Sequence, residues 1–367
     1  MIPNSSTSIH TRESIETWLV EWLAGELEIN VDAIDTRKKS FLDYGLDSQG
    51  ALMLISDLEV WLGQQLPLTL AWDHPYIKDL ADHLAQKSHV LIPSPWSWLV
   101  KIQSGGSKPP FFGIHGAYGG VFMYYDLARY LAVDQPVYGL QAQGLDGKTA
   151  PQTRIQDMAA DYISEIRTVQ PEGPYFLGGY SMGGRIAFEM AQQMQAQGQK
   201  IAMLALFDTQ SPNWLKPLPV NTRAFRHLTN LLKLEPKEKL NYLYERLGSK
   251  FYSSNTQSLP QANMQPLPQV RYQSRLRKAH DQANSDYVLQ VYPDQVILFR
   301  AVELLEEWLE LLEWHQIELD LGWSSLVTGG LEIQEVPGDH MNMLNEPHVR
   351  VLAEKLQICI DKAQANQ

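Results

Sequence analysis

Two hydrophobic rhythms divide the chain. Up to about residue 90 the apolar positions recur at helical spacing. Ile15, Trp18, Leu19, Trp22 and Leu23 share one face, and Ala51, Leu54, Ile55, Leu58 and Leu62 share another. A third helix is predicted over Ile77–Gln86, so the segment reads as a small bundle of three or four short helices. Residues 87–95, KSHVLIPSP, hold two prolines and little periodicity, as a linker would. Beyond them strand-like and helix-like segments alternate. Residues 96–103 read as a first strand and 104–110 as its turn. Further strands are predicted at Phe111–Ile114, Val137–Leu140, 175–177, Ile201–Phe207, 296–299 and Leu331–Val336, with a helix over 155–169. This alternation implies a mainly parallel sheet covered on both faces. From residue 208 to the strand at 296 the chain is too long for a plain connection. Helical stretches are predicted there at 228–234, 240–247 and 271–287, and a polar, proline-rich loop at 253–269.

Composition adds limits. At 367 residues the chain suits two domains, or one large domain and an accessory one. An apolar fraction of 44% allows a sizeable core and excludes a disordered chain. No run of about 18 apolar residues occurs, so no membrane helix and no membrane partner are expected. Residues 1–10 lack the charged-then-apolar pattern of an export signal. The single cysteine, Cys359, excludes an intramolecular disulfide and a cysteine-rich metal site, and it fits a reducing cytoplasm. A net charge of −12 argues against nucleic acid as a partner. That charge is uneven. Residues 1–90 hold 6 Lys and Arg against 14 Asp and Glu, whereas residues 216–280 hold 12 against 3. A basic insertion that meets the acidic bundle would steer a tethered group into the second domain.

Candidate chemistry centres on residues 176–190, FLGGYSMGGRIAFEM. Here a strand ends in glycines, a serine stands at the apex and a helical pattern begins. Gly179, Ser181 and Gly183 fill the pattern G-x-S-x-G, whose glycines permit a turn sharp enough to present the hydroxyl. A free serine is a weak nucleophile, so a base and an acid are needed elsewhere. Asp208 closes the strand IAMLALFD, and His340 lies in VPGDHMNML after the last strand. Alone, the aspartate suits a turn and the histidine a surface loop. Together the three run Ser–acid–His, each just past a strand end, where sites gather in open α/β sheets. Glu303, just beyond VILFRA, is an alternative acid. A tetrahedral oxyanion needs two amide donors: the N–H of Met182, next after the serine, and one from the loop HGAYGG (115–120), assigned to Ala117. No metal is called for. In the first segment, FLDYGLDSQGAL (41–52) places Asp47-Ser48 at a helix start. That pair suits an N-cap, and a serine there is also open to modification.

The stretches YGLDS and AWDHPYIKDLADHLA, with the long apolar helix between them, resemble an acyl carrier protein. The resemblance implies that Ser48 carries a covalent 4′-phosphopantetheine arm whose thiol holds an acyl chain, attached by a phosphopantetheinyl transferase. Gln49 departs from the aliphatic or small hydroxyl residue usual after that serine, and the wording G-L-D-S implies a polyketide or fatty-acyl cargo. GYSMGG, ALFDTQSP and VPGDHMNMLNEPHV resemble the terminal thioesterase domains of polyketide and peptide synthases. That second resemblance implies an α/β-hydrolase fold, the acid at Asp208 and a helical lid at about 212–290. The family often writes H-P-A-G-G where this chain has HGAYGG.

The expected architecture is therefore a small all-α carrier bundle at 10–88, a linker at 89–95 and an α/β-hydrolase thioesterase domain at 96–365. The whole resembles the carboxyl-terminal end of a polyketide, or hybrid polyketide and nonribosomal peptide, synthase. The expected activity is release of an acyl thioester from the carrier arm through Ser181, to water or to an internal nucleophile. Upstream synthase modules are the expected partners and the cytoplasm the expected location. Three other readings stand beside it: an editing thioesterase that clears stalled carriers, a general serine esterase, and a non-catalytic carrier or docking protein.

Overall fold

The computed structural model describes residues 10–27, 29–46, 48–62, 66, 70–86, 98–145, 149–219, 221–222, 268–305, 308, 311–313 and 315–366. The chain divides into two compact units, Met1–Ser97 and Trp98–Gln367. Among the described residues of the first, four α-helices form: α1 (Arg12–Glu26), α2 (Ser48–Leu62), the single turn α3 (Leu70–Asp73) and α4 (Ile77–Gln86). Thr11 starts α1, its hydroxyl accepting the Ser14 N–H at 3.2 Å. The stripes predicted from periodicity are the buried ones. Ile15, Leu19 and Leu23 of α1 meet Leu54, Ile55 and Leu58 of α2 and Ile77, Leu80 and Leu84 of α4 in one core. Trp18 and Trp22 sit at its rim, and the Trp22 Nε1–H donates to Asp57 Oδ2 at 2.9 Å, tying α1 to α2.

The second unit runs β1 (Leu99–Gln103), β2 (Phe111–Ile114), α5 (Met123–Tyr130), β3 (Val137–Leu140), α6 (Ile155–Arg167), β4 (Tyr175–Tyr180), α7 (Met182–Ala196) and β5 (Ile201–Phe207). Then follow β6 (Leu215–Pro217), α8 (Pro268–Asp286), β7 (Val296–Ala301), β8 (His315–Ile317), β9 (Leu331–Val336) and α9 (Val349–Ala365). Among the described residues, seven strands make one sheet in the order β1-β3-β2-β4-β5-β7-β9. Only β1 is antiparallel to its neighbour within it. Side chains alternate across the sheet. Tyr175 and Leu177 of β4 pack with α6, α7 and α8, whereas Phe176 points to the face covered by α5 and α9. Burial on both faces explains why the central strands read as unbroken apolar runs.

Two features depart from the periodicity reading. Helix α5, MYYDLARY, follows the HGAYGG loop where no helix is predicted. The long connection after Asp208 contains β6, which pairs antiparallel with β8 in a separate two-stranded sheet. The predicted helices at 228–234 and 240–247, nearly all of the loop at 253–269 and the linker at 89–95 lie outside the described residues. Among the described residues, no helix is long and apolar enough to cross a membrane.

Candidate active site

The turn from β4 into α7 is built by close backbone approach. A Cβ on Gly179 would lie 2.5 Å from Gly184 N and nearer still to Gly183 O, and one on Gly183 would lie 2.5 Å from Ile114 O. Only glycine fits at either position. Ser181 stands at the apex with φ 55° and ψ −120°, a left-handed conformation that costs a side-chain-bearing residue about 1–3 kcal/mol. Its N–H donates to Phe207 O at 2.9 Å, which holds the strained turn against the end of β5.

Three strand ends converge on this turn. Asp208 follows β5, also with positive φ (42°), and is buried. His340 follows β9 in a turn whose Asp339 carboxylate accepts the N–H groups of Met341 and Asn342 at 2.8 and 3.1 Å. His340 Nδ1 lies 2.7 Å from Asp208 Oδ2, and His340 Nε2 lies 3.1 Å from Ser181 Oγ. Because the carboxylate accepts, Nδ1 carries the imidazole proton. Nε2 is left with a lone pair facing the serine hydroxyl. The remaining Asp208 oxygen accepts the buried Ala301 N–H at 3.0 Å, at the end of β7. Ser181, His340 and Asp208 thus form one hydrogen-bonded chain, an arrangement able to activate a serine hydroxyl for acyl transfer.

The family model of the thioesterase domain matches residues 109–358. The chain belongs to the thioesterase domain family. A second model, that of the phosphopantetheine attachment site, matches residues 17–84. A nonribosomal peptide synthetase, apvA of Aspergillus terreus, is 27% identical over 370 residues, covering 97% of this chain and 39% of its own length. A dimodular nonribosomal peptide synthase of Bacillus subtilis is 38% identical over 178 residues, 48% of this chain and 7% of that protein. A solved four-domain nonribosomal peptide synthetase superposes with a TM-score of 0.55 at 21% identity, covering 98% of this chain and 27% of that one, which shows a shared fold. The chain spans well under half the length of these curated relatives.

Within the thioesterase domain the other predicted residues fall as follows. Met182 is the first residue of α7, where backbone N–H groups have no partner within the helix. The HGAYGG loop packs against the turn: a Cβ on Gly116 would meet the Tyr180 ring at 2.9 Å and Tyr180 O at 3.6 Å. Ala117 is the next residue in that loop. Glu303, the alternative acid, is exposed; its N–H donates to Gly338 O at 3.0 Å, and among the described residues its carboxylate makes no hydrogen bond or ion pair. Ser48 is the first residue of α2, in the phosphopantetheine attachment segment; its side chain and Asp47 lie outside the described residues. Among the described residues no cluster of three or more His, Cys, Asp or Glu side chains could hold a metal ion.

Sequence reasoning missed several residues that shape the site. The Tyr180 ring stacks on the His340 imidazole at 5.2 Å, and its hydroxyl donates to His340 O. Burial pushes the Tyr180 phenol up, so it remains a neutral donor. Trp308 also packs near His340, with ring centroids 5.5 Å apart, and Trp214 packs on Trp308 at 4.9 Å. Arg185 of α7 donates from Nε and Nη2 to Gln210 O at 2.9 and 2.7 Å, and from Nη1 to Asn284 Oδ1 at 2.8 Å. Its burial lowers the guanidinium to about 10. Tyr180 was visible inside G-x-S-x-G itself. Trp308 and Arg185 carried no local signal.

Proposed function

We propose that this chain releases an acyl chain from its own carrier segment by transfer to Ser181, and then to water or to a nucleophile within the chain released. The observation that carries the reading is the hydrogen-bonded series Ser181 Oγ–His340 Nε2 and His340 Nδ1–Asp208 Oδ2, at 3.1 and 2.7 Å, in a chain that also holds a phosphopantetheine attachment segment. Residues 10–88 serve as the carrier, 89–95 as the linker and 96–365 as the thioesterase; the division into two compact units, between Ser97 and Trp98, supports a two-domain reading.

Ser48 is the attachment point, and the start of a 15-residue helix suits it, since the free amides there favour a phosphate. When bound, the 4′-phosphopantetheine arm supplies a thiol on which the acyl chain arrives as a thioester. Ser181 Oγ attacks the acyl carbonyl while His340 Nε2 takes its proton. Asp208 holds the imidazole tautomer and stabilises the imidazolium. The backbone N–H groups of Met182 and Ala117 receive the developing oxyanion; each such donor is worth about 3 kcal/mol in the transition state. On collapse the carbon–sulfur bond breaks and His340 protonates the leaving thiolate. His340 then removes a proton from the acceptor, which attacks the Ser181 ester and frees the product. A phosphopantetheinyl transferase and upstream synthase modules are the partners this reading requires. The cytoplasm, where coenzyme A supplies the arm, is its location.

Arm attachment and release are separable. Wild-type chain treated with a phosphopantetheinyl transferase and an acyl-coenzyme A should gain the acyl arm and release free acid or ring, as followed by intact-protein and product mass spectrometry. Ser48→Ala should gain no arm yet hydrolyse a soluble acyl thioester at the wild-type rate. Ser181→Ala should load normally and lose release by about four orders of magnitude or more. Loss of both activities in Ser48→Ala, or retained release in Ser181→Ala, would defeat the reading.

A further inference from the structure

Two buried histidines hold consecutive carbonyls of the HGAYGG loop. His115 Nδ1 lies 2.7 Å from Gly116 O, and His280 Nδ1 lies 2.7 Å from Ala117 O. Carbonyls only accept, so both imidazoles donate from Nδ1. For His115 this fixes Nε2 as the acceptor of the Tyr162 hydroxyl, 2.7 Å away. The two rings stack with centroids 5.2 Å apart and planes within 17°. Both side chains are buried.

The geometry matters because a peptide unit is planar. Gly116 C=O and Ala117 N–H belong to one plane and point in opposite directions, so the bond from His115 sets where the Ala117 N–H points. Ala117 C=O belongs to the next plane, which His280 holds. Both planes that meet at the Ala117 Cα are therefore fastened. His115 comes from the end of β2, but His280 comes from α8, at the far side of the long connection after Asp208.

Helix α8 is itself fastened to α7. Asn284 Oδ1 accepts from Arg185 Nη1 at 2.8 Å, and the Tyr287 hydroxyl just past α8 donates to Glu189 Oε2 at 2.7 Å. Leu276 of α8 also closes on the loop, where a Cβ on Gly119 would meet it at 2.9 Å. Leu276, His280, Ala283 and Tyr287 form a buried stripe at helical spacing. One helix thus touches both halves of the oxyanion site: α7, whose first residue is Met182, and the loop that presents Ala117.

We propose that His280 is a positioning residue of the oxyanion hole, with α8 acting as the strut that sets the spacing between the Met182 and Ala117 N–H groups. The proposal rests on reading Ser181 as the nucleophile and those two amides as the oxyanion donors. A buried imidazole could otherwise serve packing alone, so the test separates its hydrogen bond from its volume.

His280→Leu removes the donor. His280→Asn keeps an N–H at the position of Nδ1, and His280→Gln carries the same amide one bond too far. With a soluble acyl thioester, His280→Leu should lower kcat about 10-fold or more while KM stays within about twofold, a fraction of the 10²–10³-fold cost of deleting such a donor. His280→Asn should recover most of that loss and His280→Gln should not. Phosphonylation of Ser181 by a fluorophosphonate, whose oxygen occupies the same hole, should slow in parallel. Should His280→Leu fail to fold, the kcat ratio of Asn to Gln at equal near-UV circular dichroism decides the question. Equal kcat in those two, or wild-type kcat in His280→Leu, overturns the proposal while leaving Ser181 as nucleophile. A wild-type chain that does not label at Ser181 overturns the reading beneath it and this proposal with it.

Discussion

Replacing Asp208 with asparagine changes the shape of the site least and its proton bookkeeping most. Oδ1 of Asp208 accepts the buried Ala301 N–H at 3.0 Å, while Oδ2 faces His340 Nδ1 at 2.7 Å. A carboxylate accepts from both; an amide matches only one. With its oxygen on the Ala301 N–H, the asparagine turns its NH2 toward His340. The imidazole must then carry its proton on Nε2, leaving no lone pair for the Ser181 hydroxyl. Flipping the amide restores the tautomer but sets an NH2 against the Ala301 N–H. That leaves a buried donor unpaired, at about 1–3 kcal/mol. The competent flip is thus disfavoured by roughly 5- to 150-fold, and it lacks the charge that stabilises the imidazolium. Together these should lower kcat by about 10⁴-fold, with KM little changed because Asp208 touches no substrate. The assay is steady-state hydrolysis of a soluble acyl thioester at neutral pH, with Glu303→Gln measured alongside and expected to remain within about twofold. An Asp208→Asn enzyme within tenfold of wild type, or a larger loss in Glu303→Gln, would refute the assignment of the acid.

Two further substitutions probe the neighbouring backbone and burial. In Gly183→Ala the new Cβ would sit 2.5 Å from Ile114 O and closer to His115 O. Both atoms are main chain, so the end of β2 and the loop carrying Ala117 must shift. Stability should fall by about 1–3 kcal/mol and kcat by about 10²-fold, and unchanged melting and turnover would contradict that packing. Burial, followed by the neighbouring His280, lowers the His115 imidazole from 6.5 to about 3. Between those values the unfolded chain binds a proton that the folded chain refuses. The stability His115 contributes is therefore whole above pH 6.5 and is lost as pH falls toward 3. Proton uptake on urea unfolding at pH 5 should drop by about one in His115→Asn, and equal uptake would show that His115 is not buried neutral.

Much of this molecule was legible locally. The stripe Leu54, Ile55 and Leu58 and the runs in β4 and β5 are buried as their periods require, because period reports only which face leaves water. Helix α5 escaped that reading, being short and rich in tyrosine directly after a glycine loop. So did β6 and β8, three residues each, which find each other about a hundred positions apart. Strands so brief carry no periodic signal and form only because a partner is already in place.

By itself, then, the sequence determined the helical first segment, the alternating second one, the turn at Ser181 and the order Ser181, Asp208, His340. Glycine spacing and strand ends are local properties that a linear pattern records. Between Asp208 and Glu303 the residue pattern left both open and only the family resemblance favoured Asp208; the tertiary structure sets Asp208 beside His340. Both acids follow strands. In the folded sheet β7 lies between β5 and β9, so Asp208 can brace one oxygen on Ala301 and turn the other to His340, 132 residues away. The His115–His280 stack has the same origin. Its members are the residue just after β2 and a residue of α8, and only the packing of α8 on α7 and the HGAYGG loop brings their donors onto consecutive carbonyls. The direction of a side chain at a strand or helix end depends on which distant elements become neighbours, and no period along the chain encodes that.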